Sequence, residues 1–203
     1  MKNSVKAGRP TGFDTDRALD VAMHLFWERG YEGTSMASLS QKMGIHPSSI
    51  YAAFGDKQDL FALAAKRYAD VPAQYMVRAL EQPSFRDFIL AVFDNTVEFL
   101  GSKDHPSSCF TLVGAISCGA DTEPAKILMR EMRLQNEAAI KARLLKARKA
   151  GEFPRDENID DYTRYLSSLL SGLAVQAANG STRAELKRTA EVALRHLGVD
   201  RSV

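Results

Sequence analysis

Cysteine is scarce in these 203 residues: only Cys109 and Cys118 occur. A disulfide framework is therefore excluded. If both cysteines lie on one helix, the nine-residue step turns about 900° and rises roughly 13 Å. They then face opposite sides, beyond the reach of an intrachain bridge. No apolar run approaches the roughly 18 residues of a membrane span. The first residues, Met-Lys-Asn-Ser-Val-Lys, lack the apolar core of a signal peptide. The expected location is the cytoplasm, with no membrane partner. Period-2 alternation long enough for a sheet is missing, and so is any internal repeat.

Charge of one sign is also missing. The formal net charge is +2. Over residues 1–60 the seven basic side chains are cancelled by seven acidic ones. Global charge therefore does not announce a nucleic-acid binder, and placement has to carry the argument. Lys2, Lys6 and Arg9 make a purely basic tail. Several carboxylates fall at expected helix starts, where they complement the helix dipole.

The signatures of catalysis are absent as well. The four histidines, His24, His46, His105 and His196, show no metal-ligand spacing. There is no Gly-x-Ser-x-Gly elbow, P-loop or dinucleotide fingerprint. Cys109 near His105 is conceivable as a nucleophile, but nothing identifies an acyl-transfer site. No cofactor is expected.

What the chain has is helical punctuation. Hydrophobic residues make up 45% and charged ones 26%, enough for a sizeable soluble core. The spacing predicts a first helix from about Asp14 to Arg29, with Leu19, Ala22, Met23 and Phe26 as its stripe, stopped by Gly30. Thr34 and Ser35 are candidate caps for a short helix from Met36 to Met43. Gly44 breaks the chain, and Pro47 suits the first turn of a third helix. Phe54-Gly55 ends that helix and Asp56 caps a fourth. Longer helices follow: Ser84 to about Gly101, Thr122 to Ala150 and Ile159 to Asn179. A last one opens on the capping box Thr182-x-x-Glu185. An apolar segment spans Cys109 to Cys118.

Two short helices joined at Gly44-Ile45 form a helix-turn-helix candidate, whose second helix has the shape to enter a major groove. Met36, Leu39, Met43, Ile45 and Ile50 are positioned to hold the pair to the first helix. Spacing alone fits any small helical bundle equally well. The residues are more specific. Arg9-Pro10, Ala22, Leu25-Phe26, Gly30-Tyr31-x-x-Thr34-Ser35, Gly44-Ile45, Ile50-Tyr51-x-x-Phe54 and Lys57-x-x-Leu60-Phe61 closely resemble the N-terminal domain of the tetracycline-repressor family. The resemblance covers residues 9–61, about a quarter of the chain.

The resemblance implies an all-α protein. Residues 1–12 would be a basic tail, 13–56 a three-helix DNA-binding domain, 57–80 a connecting helix, and 81–203 a ligand-binding and dimerisation domain. It implies a dimeric regulator of double-stranded operator DNA, most often a repressor released by a small apolar or amphipathic ligand. An activator, or a thiol- or metal-responsive regulator, would use the same DNA-binding residues. An enzyme is the remote alternative. By the resemblance, Thr34, Ser35, Tyr51 and Lys57 fall at phosphate contacts, and His46, Pro47, Ser48 and Ser49 face base edges. Arg9 would add a tail contact. Position 46 is more often serine in the family, and Ala52 stands where larger groups are common.

The ligand site is expected among the middle helices. Phe88, Val92, Phe110, Met129 and Met132 supply apolar surface, and Asn95, Thr96, His105, Cys109, Gln135 and Asn136 supply polar groups. The small residues of 159–179, with Leu166, Leu169, Leu170, Gly172, Leu173 and Gln176, are expected at the dimer interface.

Overall fold

A computed structural model describes residues 12–113 and 122–199. Among them it contains ten helices: α1 (Thr15–Arg29), α2 (Met36–Met43), α3 (Pro47–Phe54), α4 (Lys57–Asp70), α5 (Gln74–Leu80), α6 (Phe85–Leu100), α7 (Phe110–Val113), α8 (Glu123–Lys149), α9 (Ile159–Ala178) and α10 (Arg183–His196). The all-helical expectation holds. Arg9 and Cys118 lie outside the described residues.

The caps follow side-chain chemistry. Asp14 accepts the Arg17 amide at 3.0 Å. Ser35 and Ser38 cap α2 reciprocally, each side-chain oxygen accepting the other's amide at 3.0–3.1 Å. Asp56 and Asp59 do the same for α4. The predicted box of Thr182 and Glu185 is present on α10. These contacts satisfy amides that a helix start would otherwise leave without partners. Gly44 ends α2 at φ 69°, ψ 28°, a left-handed conformation that glycine adopts without strain.

One expected element divides. The connecting helix expected over 57–80 is two helices, because Pro72 follows Val71. Proline has no amide to donate, and its ring disfavours helical backbone in the residue before it. Helix α5 therefore starts afresh and returns along α6.

Helix α1 is wrapped by α2 and α4. Phe26 meets Phe61 edge to face at 5.0 Å, and Trp27 meets Tyr68 in the same manner at 4.9 Å. All four rings are buried. The core of the first three helices is thus closed by α4, so a boundary between residues 56 and 57 cuts through a continuous core. In the larger part, α6 lies between α5 and α10, and α8 packs along α9. Buried Arg143 of α8 donates from Nη2 to the Gln82 carbonyl at 3.0 Å and covers the Phe88 ring. Glu152 accepts the Phe85 amide at 2.6 Å, joining the α8–α9 connection to the start of α6. Gly101 ends α6 against α10: a Cβ there would lie 2.8 Å from both Cβ and Cγ of Arg183.

Candidate DNA interface and ligand cavity

Helix α3 is anchored by one face. Ile50 and Phe54 are buried, while Ser48, Tyr51 and Ala52 are exposed. Ser49 and Pro47 are half-buried. His46 caps the helix: its Nδ1 lies 3.4 Å from the Ser48 amide and 2.8 Å from the Ser48 hydroxyl. A ring nitrogen that accepts the amide carries no proton, so the proton belongs on Nε2. The exposed ring then presents an N–H donor outward.

Thr34 departs from its expected role. It is fully buried, and its Oγ1 donates to the carbonyls of Gly30 at 2.8 Å and Leu25 at 3.3 Å. Its hydroxyl is spent on joining the end of α1 to the start of α2, so it is not placed for a phosphate. Ser35 is exposed at the N-terminus of α2. Lys57 begins α4, with its ammonium 4.2 Å from the centre of the Tyr31 ring. Tyr51, half exposed, leaves the outer side of α3.

A cavity of about 130 Å³ lies among α5 to α9. Of the expected ligand residues, Thr96, Cys109 and Asn136 line it. The others do not. Val92 and Met129 are core. Phe88 is occupied by Arg143, and Phe110 stacks between Phe61 and Tyr68. His105 lies flat on Trp27 at 4.7 Å. Asn95 donates to the Tyr75 carbonyl at 3.0 Å. Met132 is half-buried outside the cavity lining, and Gln135 is exposed on α8.

The sequence reading missed Tyr75 and Met76, which line the cavity from α5, and Arg133 on α8. Burial pushes the Tyr75 hydroxyl well above the usual phenol range, so it stays protonated as a donor. The Arg133 guanidinium donates to the Thr111 carbonyl, spanning the cavity wall from α8 to α7.

Helix α9 carries small residues on two faces rather than one. Ser167, Leu170, Ser171 and Ala174 repeat at helical spacing and line the cavity. Leu169, Gly172, Leu173 and Gln176 line a second, open groove of about 540 Å³ against α10, with Tyr165 and Val192 exposed beside it. Of the expected interface leucines, Leu166 is buried core and Leu170 faces the cavity. A 3.6-residue count along 166–176 separates the two sets.

The family model described as "Bacterial regulatory proteins, tetR family" matches residues 18–64. An uncharacterized HTH-type transcriptional regulator of Bacillus subtilis (strain 168), YezE, is 34% identical over 79% of this chain and 84% of its own length. The HTH-type transcriptional repressor ComR of Escherichia coli (strain K12) is 29% identical over 93% of this chain and 90% of its own. Among solved structures, a cysteine mutant of the TetR family transcriptional regulator CifR, complexed with 26-base-pair double-strand operator DNA, is 32% identical. It covers 93% of this chain and 98% of that one, with a TM-score of 0.88. With this identity and coverage, the chain belongs to the tetR family of bacterial regulatory proteins, helix-turn-helix transcriptional regulators rather than enzymes.

Proposed function

We propose that the protein is a repressor that binds a palindromic or near-palindromic operator as a homodimer and is released by a small ligand. The observation that carries the DNA reading is the divided face of α3: Ile50 and Phe54 hold it from within, while the small Ser48 and Ala52 let its outer side approach base edges. His46, Ser48 and Ser49 read bases. Ser35, Tyr51 and Lys57 hold phosphates, which position the protein without specifying sequence. Arg9, in the basic tail, adds affinity.

One short helix reads too few bases alone, and a pair reads two half-sites about one DNA turn apart. The α9–α10 groove supports pairing, since Tyr165 and Val192, which border it, are exposed in the single chain. The cavity supports a small ligand, on the scale of the roughly 150 Å³ apolar cavity that admits benzene. A ligand that favours a wider spacing of the two α3 helices lowers operator affinity by linkage, typically about 5- to 150-fold. A genomic footprint, followed by sedimentation of the complex, tests the proposal. Two-fold sites protected by a dimer are expected; a monomer protecting a single half-site overturns it.

A further inference from the structure

The loop between α6 and α7 touches the cavity and the DNA-binding end through adjacent residues. The Ser108 carbonyl accepts the indole N–H of Trp27 at 3.1 Å. The Cys109 thiol accepts the Tyr68 hydroxyl at 3.7 Å and lies 3.2 Å from the Thr111 hydroxyl. Trp27 belongs to α1 and Tyr68 to α4. Cys109 and Thr111 line the cavity. We propose that the Ser108–Cys109 segment passes the state of the cavity to the DNA-binding helices, with Tyr68 and Trp27 receiving it; this rests on the ligand-released reading above.

The packing leaves little slack. His105 stacks on Trp27 at 4.7 Å before the segment, and Phe110 stacks on Tyr68 at 5.2 Å after it. Trp27 is fully buried, so its N–H has no water to replace a lost carbonyl, and leaving it without an acceptor is costly. A ligand that pushes Cys109 therefore carries α1 with the segment or strains it. From Trp27 the path continues to Thr34, which is hydrogen bonded to the neighbouring carbonyls of Leu25 and Gly30. Thr34 directly precedes Ser35, the cap of α2. Buried Thr34 thus belongs to the coupling rather than to the phosphate contacts.

Two features of the chain make the test direct. Trp27 is its one tryptophan, and replacing Cys118 leaves Cys109 as its one thiol. In a Cys118→Ser background, iodoacetamide alkylates Cys109: the thiol gives up its proton to solvent, and the sulfur displaces iodide and gains a carbamidomethyl group at the cavity wall. The expected result is a change in Trp27 emission and a 5- to 150-fold loss of operator affinity, with the dimer intact by sedimentation. In Tyr68→Phe, which keeps the ring and removes the hydroxyl, the same alkylation should cost at least threefold less affinity. Unchanged Trp27 emission on complete alkylation overturns the proposal without reference to DNA. So does an equal affinity loss in Tyr68→Phe and in its parent. Failure of the unmodified protein to select any operator would instead overturn the repressor reading.

Discussion

Arg67 of α4 meets Asp20 of α1 through two parallel contacts, Nε to Oδ1 at 2.8 Å and Nη2 to Oδ2 at 3.0 Å. Both side chains are partly exposed. Two-point geometry fixes orientation as well as distance, so the pair sets the rotation of α4 about α1. Arg67→Lys keeps the charge and loses the fork. It should cost no more than about 1 kcal/mol of stability, the usual range for solvent-exposed pairs. Its larger effect should be on operator affinity, because α4 leads out of the recognition helix. Urea unfolding together with an operator titration separates the two. Stability and affinity falling by the same free energy would deny the pair its orienting role.

Lys57→Ala and Tyr51→Phe should weaken binding to operator and to unrelated DNA alike. For Lys57→Ala, the slope of log affinity against log salt should become shallower by about two, one lost phosphate contact for each subunit of the proposed dimer. Ser48 or Ser49 substitutions should instead change which sequence is preferred, by about 1–3 kcal/mol at the affected base pair. Titrations at three salt concentrations distinguish the classes. An unchanged slope in Lys57→Ala would remove that residue from the phosphate contacts.

Gly172 is exposed on α9, and a Cβ there meets nothing within 4 Å. Gly172→Glu should therefore leave the single chain folded, with a gain of several tenths of a kcal/mol in helix propensity. A charge in the α9–α10 groove should split the proposed dimer. Sedimentation of a helical monomer is the expected outcome, and a dimer of unchanged affinity would place the interface elsewhere.

Alkaline pH should destabilise the fold. Burial is the main cause that raises the Tyr162 hydroxyl to about 12 from its usual 10, and burial likewise raises the Tyr68 and Tyr75 hydroxyls above the usual phenol range. The folded chain thus holds phenolic protons that the unfolded chain releases. Stability is fully present below pH 10 and falls as pH rises from 10 towards 12. Tyr162→Phe should flatten part of that fall in urea midpoints taken at pH 9, 10 and 11. An identical pH dependence in the variant would contradict it.

The DNA-binding end was legible because its signals are local. The caps at Ser35 and Asp56 need only neighbours in the chain, and so do the stops at Gly30 and Gly44. The cavity was mostly hidden because its walls come from five helices. Whether Phe88 faces a ligand or Arg143 depends on a residue 55 positions away. Thr34 shows the same limit on a smaller scale: a threonine before a helix reads as a polar contact until its hydroxyl is seen facing the carbonyl of Leu25.

The contact between Gly101 and Arg183 amounts to a dimensional tolerance. With no Cβ on Gly101, α10 begins against the end of α6, and the ion pair of Arg183 with Glu98 fastens it there. If α9 and α10 form the seam of the dimer, the tilt of α10 sets the angle between subunits, and the two α3 helices lie at the far ends of the lever. A methyl group at residue 101 acts as a shim: the shift it forces at the seam becomes a larger offset at the DNA. Chains differing only at residue 101 should therefore prefer operators of different half-site spacing while reading the same bases.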